Sequence, residues 1–171
     1  MNGIRRTALA LAFVMLFCLT GCSAVSLGQG KTALFASSGM EIVLPATFAE
    51  QNVEGYTVCY GSPAATVFAL REAFSLAEGL EDMSVRDYAH LVYLANAVKS
   101  PSEITWEEGL PLMEYTYYVE SAGKDYVYLC AMYKAEDAFW TVQFVCTEED
   151  YEEYHPQFIT WAKSVKFVSA E

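Results

Sequence analysis

The alternation of apolar and polar residues is clearest between Leu112 and Val168. MEYTYYVE, DYVYLCAMYK and FWTVQFVCT are runs rich in aromatic and β-branched residues, joined by SAGK and AEDA, and they predict an antiparallel meander. In the last run Trp140, Val142, Phe144 and Cys146 fall on one side, with Thr141 and Gln143 on the other. An odd-sum register through AEDA sets Tyr133, Ala131, Leu129 and Val127 opposite those four apolar residues, because paired residues on neighbouring strands share a face. Cys146 then points into the core and Cys130 away from it. That geometry disfavours a disulfide between them and predicts two buried thiols.

Upstream, Met40–Pro45 reads as a short strand stopped by proline, and Gly55–Tyr60 and Ala65–Phe74 as a pair joined by the turn residues Gly61–Ala64. Two segments switch to helical spacing. Ser84 with Asp87 three residues on resembles a capping box, opening a helix through about Val98. Val85, Tyr88, Leu91, Val92, Ala95 and Val98 recur at its period and are expected to face a core. Thr147 with Asp150 starts a second helix in the same way, with Tyr151, Tyr154, Phe158, Trp161 and Ala162 as its apolar stripe and SVKFV as a final strand. Pro156 removes a donor from this helix and is expected to bend or split it near His155.

The start of the chain has a different pattern. Arg5 and Arg6 precede an apolar run from about Ala8 to Leu19, too short for the ~20 residues a membrane helix needs, and small residues follow. This is the layout of a secretory signal. Leu19-Thr20-Gly21-Cys22 resembles the lipobox of bacterial lipoproteins, in which the cysteine is acylated and the chain cut before it. The alternative is an ordinary signal peptide with a chance cysteine near its end. The expected organisation is a signal over 1–21, lipidated Cys22 with a flexible tether over 22–38, and one globular domain over 39–169. The implied location is extracytoplasmic, on a bacterial membrane through the lipid anchor.

Charge narrows the partners. The whole chain carries −12, and residues 1–22 hold two of its ten Lys and Arg but none of its 22 acids, so the remainder carries 8 cations against 22 acids, a net −14. That excludes nucleic acid as a partner and repels anionic headgroups. With 54% apolar residues and 12 tyrosines, disorder is excluded for most of the chain. Beyond Cys22 only Cys59, Cys130 and Cys146 remain, with no zinc spacing and no Cys-x-x-Cys.

A Leu-Pro strand, the capped helix around DMSVRDYAHLV, the meander ending in FWTVQFVCTEEDY, and then FITWAKSVKF are similar to the PsbP and Mog1 superfamily. The resemblance covers most of residues 38–169. It implies an α+β fold, an α/β/α sandwich in which an antiparallel sheet of six to seven strands lies between two main helices. It also implies a habit of binding: the superfamily includes photosystem assembly factors, a partner of a small GTPase and many bacterial lipoproteins.

Candidate chemistry is sparse. Tyr118, Tyr126, Tyr128 and Met132, on the face that carries Cys130, form either a stacking surface for a ligand or partner or, the favoured reading, a row covered by a helix. Asp87 with His90, and Glu152 with His155, set a carboxylate and an imidazole one turn apart on each helix, as di-iron sites do. Helices on opposite faces of a sheet keep such pairs apart, so no metal site is expected. The acids at 148–153 suit the positive end of a helix better than a calcium loop. No nucleophile motif and no phosphate loop occurs, and no cofactor is implied. The leading expectation is a non-catalytic envelope lipoprotein that binds a protein partner or helps assemble a complex. A small-molecule or metal-ion binder comes second, and a cell-wall or glycan hydrolase last.

Overall fold

The computed structural model describes residues 30–168. The expected signal over 1–21 and Cys22 lie outside them. In chain order the strands are β1 (Thr32–Ser37), β2 (Met40–Pro45), β3 (Ala49–Gln51), β4 (Val58–Gly61), β5 (Thr66–Ala73), β6 (Thr105–Glu107), β7 (Leu110–Val119), β8 (Lys124–Lys134), β9 (Ala138–Thr147) and β10 (Lys166–Phe167). Helix α1 (Val85–Ala95) lies between β5 and β6, and α2 (Tyr151–Ser164) between β9 and β10.

The meander forms as its alternation requires. Tyr133, Ala131, Leu129 and Val127 pair with Trp140, Val142, Phe144 and Cys146. Together with the β4–β5 hairpin it builds an antiparallel sheet of seven strands in the order β3-β4-β5-β9-β8-β7-β6, which places β9 at the centre. Each face carries its own buried cluster. Trp140, Phe144, Leu129 and Cys146 meet Phe158, Trp161 and Ala162 of α2, with Met40, Ile42 and Leu44 of β2 beside them. Phe68, Phe139, Met113, Met132 and Cys130 meet Tyr88 and Ala89 of α1. The architecture is therefore α+β, with two helices on opposite faces of an antiparallel sheet. The three cysteines are all buried and free.

A second sheet of three strands, β1-β2-β10, was not expected. Thr32–Ser37, assigned from its composition to the tether, pairs with β2 over its whole length. Ser38 (φ 52) and Gly39 (φ 85) make the connection, and two successive positive φ angles are what a tight hairpin turn needs. Strand pairing accordingly begins at Thr32, inside the span expected as tether.

Of the two expected caps, the first forms and the second does not. Ser84 accepts from the Asp87 backbone N–H (3.1 Å) and donates to its carboxylate (2.6 Å). Thr147 makes no bond to a helix N–H; its hydroxyl donates to the Asp150 carboxylate (2.7 Å), and a 3-10 turn over Glu148–Asp150 precedes α2. Pro156 does not split α2, which runs unbroken from Tyr151 to Ser164. Pro156 lies on the exposed side, where water can serve the carbonyl that loses its donor.

The stripe expected on α1 is corrected. Tyr88 and Ala89 are buried, and Val92 and Tyr93 pack against the same cluster. Leu91, Leu94 and Val98 are 48%, 54% and 93% exposed, and Ala95 is exposed with them. The helix carries two apolar stripes, and the one bearing Tyr88 meets the sheet. No helix among the described residues is long and apolar enough to cross a membrane.

Candidate functional site

The tyrosine row divides between the two faces. Tyr117 pairs with Tyr126, Tyr115 with Tyr128 and Met113 with Cys130, so these six residues share the α1 face. Tyr118 pairs with Asp125 and belongs to the opposite face. Val119 pairs with Lys124 across a turn at residues 120–123, and this odd-sum register sets Tyr117, not Tyr118, beside Tyr126. Tyr128 and Met132 are closed off from solvent, as a covering helix requires, and neither is a surface residue. Tyr126 is half-buried and Tyr117, not singled out from the sequence, is 46% exposed.

Below these rings lies a polar network. Tyr56 donates to Gln143 Oε1 (3.4 Å), Gln143 Nε2 to the Tyr115 hydroxyl (3.5 Å), and Lys99 Nζ to the same hydroxyl (3.4 Å). The Tyr115 ring stacks on Tyr128 at 4.8 Å, and the Lys99 ammonium lies over Tyr115 at 4.5 Å. Burial pushes the phenols of Tyr56, Tyr115 and Tyr128 upward and the Lys99 ammonium downward. It raises Cys130 to about 12, with Lys99 acting in the opposite sense. Cys59 and Cys146 are likewise raised to about 12 by burial. A thiol at that value is protonated at neutral pH and is a poor nucleophile. Gln143 stands on the central strand, yet it is only half-buried.

Farther along the same face, the Tyr88 hydroxyl contacts the Glu72 carboxylate and the Thr141 hydroxyl (2.9 Å), and its ring stacks on Phe139 at 4.2 Å. This clamp fixes α1 to β5 and β9. A cleft of about 610 Å³ opens where β10 and the β1–β2 turn approach β5 and β9, lined by Arg71, Lys134, Asp137, Trp140 and Phe167. Its charges are spent internally: Arg71 pairs with Asp137, and Lys134 donates to the carbonyls of Glu81 (2.6 Å) and Met83 (2.9 Å).

The two helical carboxylate–imidazole pairs do not meet. His90 is exposed and parallel to Tyr93 at 6.2 Å, on the α1 side. His155 Nε2 lies 3.5 Å from Glu114, on the α2 side. No group of three His, Cys, Asp or Glu suited to a metal occurs among the described residues.

No protein-family model and no curated protein matches this chain. Solved structures do. The chain is similar to the solution structure of cyanobacterial PsbP (CyanoP) from Synechocystis, with a TM-score of 0.54 and 13% identity, covering 88% of this chain and 99% of that one. A crystal structure of a Bacteroides thetaiotaomicron protein gives a TM-score of 0.52 at 11% identity, covering 82% of this chain and 49% of that one. LpqN, involved in cell envelope biogenesis of Mycobacterium tuberculosis, gives 0.48 at 8% identity, over 81% and 91% of the two chains. Identities this low speak to architecture alone. The chain has a PsbP-like α+β fold.

Proposed function

We propose that this protein is a lipid-anchored binding module on the outer side of a bacterial membrane, acting by contact with a partner protein and without catalysis. The observation that carries the reading is the outward stripe of α1. Leu91 and Leu94 are large apolar residues one turn apart on the side of α1 away from the core, and Val98, also exposed, follows in the 3-10 turn Ala97–Lys99. A contiguous exposed apolar stripe on a soluble domain marks an interaction surface more often than isolated exposed leucines do. Leu19-Thr20-Gly21-Cys22 supports the anchor, and the net −14 beyond Cys22 supports a body held at the membrane by lipid rather than by charge. The absence of catalysis is supported by three protonated buried thiols and by histidines on opposite faces of the sheet. A second reading, that the module holds a small molecule, is favoured by the cleft of about 610 Å³ beside Arg71, Trp140 and Phe167.

Two measurements test the proposal. Cys22→Ala should move the protein from the membrane fraction to the soluble extracytoplasmic fraction, and mass spectrometry of native protein should find an acylated Cys22 as its first residue. A photo-crosslinking residue at Leu94 should give one discrete adduct in intact cells, while the same residue at Glu120 should give none. An unmodified Cys22 removes the anchor, and equal labelling from both positions removes the partner surface.

A further inference from the structure

We propose that strand β1 is a self-pairing edge, through which two copies of this chain join antiparallel about a two-fold axis at Leu34. The inference is independent of the anchor and of the α1 stripe. Its first support is a comparison of the sheet edges among the described residues. The seven-stranded sheet ends in β3 and β6, three residues each with a glutamate (Glu50, Glu107), and the three-stranded sheet ends on one side in β10, two residues with Lys166. Short strands and charges are ordinary means by which proteins keep sheet edges from pairing. The remaining edge, β1, has neither: TALFAS is six residues long, carries no charge and no proline, and pairs with β2 without a bulge. Register places its free bonding groups. The Ala46 N–H donates to the Lys31 carbonyl (2.8 Å), so the backbone groups of Ala33, Phe35 and Ser37 also turn toward β2, and those of Thr32, Leu34 and Ala36 turn toward the open edge. The Val43 N–H, opposite Leu34, accordingly points away from β1, to Ser164 Oγ (3.1 Å).

The occupant is fixed by what β1 complements. Antiparallel neighbours keep like faces together, so two β1 strands pair with an even residue sum. Centred on Leu34, this sets Leu34 against Leu34 and Thr32 against Ala36, pairs whose backbone groups all face the seam and exchange two bonds each. The row of Val43 and Leu34, 38% and 62% exposed, then continues into its copy, and Ala33 covers the free side of Phe35. Charge agrees. The same register places Lys31 opposite Ser37, whose hydroxyl donates to the Glu50 carboxylate (2.7 Å), and Lys31 has no acid of its own among the described residues. Each copy thus brings a cation to the other's carboxylate. An arbitrary extended peptide supplies the backbone bonds but not these matched charges. One strand pair buries less than the roughly 1,200 Å² of a standard interface, so the dimer should be weak, with a dissociation constant on the order of 10–100 µM.

Disulfide trapping tests the register in the purified full-length protein in detergent, with the parent chain as the baseline. Cys59, Cys130 and Cys146 are buried whereas Thr32, Leu34 and Ala36 are exposed, so oxidation reads the introduced thiols and the substitutions leave the core untouched. Leu34→Cys should give a disulfide-linked dimer, because opposed Cα atoms in such a pair lie about 5.5 Å apart. Ala36→Cys should be trapped at least about tenfold more slowly, since its own copy lies four residues along the strand, about 13 Å away. Mixing Thr32→Cys with Ala36→Cys should restore rapid trapping, as a mixed dimer. In sedimentation the parent should dimerise with rising concentration, and Leu34→Lys, which sets two like charges face to face on the seam, should stay monomeric. Trapping no faster at position 34 than at 36 would mark random collision and overturn the register. A parent chain wholly monomeric at ~300 µM, well above the expected dissociation constant, overturns the proposal and leaves the edge to residues 22–29 or to a different protein.

Discussion

The two faces of the seven-stranded sheet are built from the same strands and serve different ends. Under α2 the packing is nearly all carbon: Phe144, Phe158 and Trp161 form a chain of tilted rings with centroids 5.5–6.4 Å apart. Under α1 the same sheet presents Cys59, Cys130, Tyr115, Tyr128, Thr141 and Gln143, and α1 is held there largely by the hydroxyl clamp of Tyr88. An apolar face is insensitive to what lies beyond it. A face that also carries hydroxyls, an amide and thiols must satisfy each of them by a specific bond. The difference teaches that the α2 side is held mainly by apolar packing and the α1 side by polar bonds as well.

The most severe test of this division is Phe158→Ala, which empties the centre of the α2 cluster and should cost about 3–5 kcal/mol in denaturant unfolding. A loss well below 2 kcal/mol would mean that the α2 face is not the principal store of stability. Alkali should come next. The three thiols rise from 9.0 to about 12 on folding. A raised pKa favours the protonated form, so their contribution is intact below pH 9 and is lost as the pH climbs through 12. The urea midpoint should therefore fall steadily across that window. Two of the three lie on the α1 face, so Cys146→Ala should leave most of the fall in place.

Tyr88→Phe and Tyr60→Phe form a matched pair. The first strips a partner from buried Thr141 and should cost about 1–2 kcal/mol, whereas Tyr60 carries a buried hydroxyl with no hydrogen-bond partner among the described residues, and its loss should be neutral or slightly stabilising. Equal effects would erase the contrast between the faces. Leu91→Ser and Leu94→Ser should show the smallest change, within about 0.5 kcal/mol, because these side chains already face water. A larger cost would return the outward stripe to the core.

Much of the fold was legible in the sequence where alternation was strict. The β8–β9 register followed from Trp140, Val142, Phe144 and Cys146 because a one-residue slip would have turned all four outward. Legibility failed where two solutions shared one pattern. Helix α1 has apolar stripes on both sides, and periodicity does not say which one meets the sheet. On β7 Tyr117 and Tyr118 are adjacent and alike in character, and only the odd-sum pairing across the turn shows that Tyr117 is the one that shares a face with Tyr126. β1 escaped notice because TALFAS continues a stretch of small and polar residues and shows no apolar-polar alternation, although Ser38-Gly39 between two extended runs is itself a hairpin signal. At the candidate site, Tyr126 and Tyr128 were visible as members of a row. Lys99, Tyr56 and Gln143 were not, since they come from a 3-10 turn, a loop and the polar side of β9, and only the closed fold brings them together.

The first strand also sets the length of the mooring. Ten residues, 22–31, separate Cys22 from β1 and span at most about 35 Å fully stretched, against about 58 Å had residues 22–38 all been free. In the proposed anchored state a body with 22 acids is thus leashed close to a charged bilayer, where the field changes steeply over about 8 Å. Repulsion acting through so short a leash would restrain the body's orientation as well as its distance.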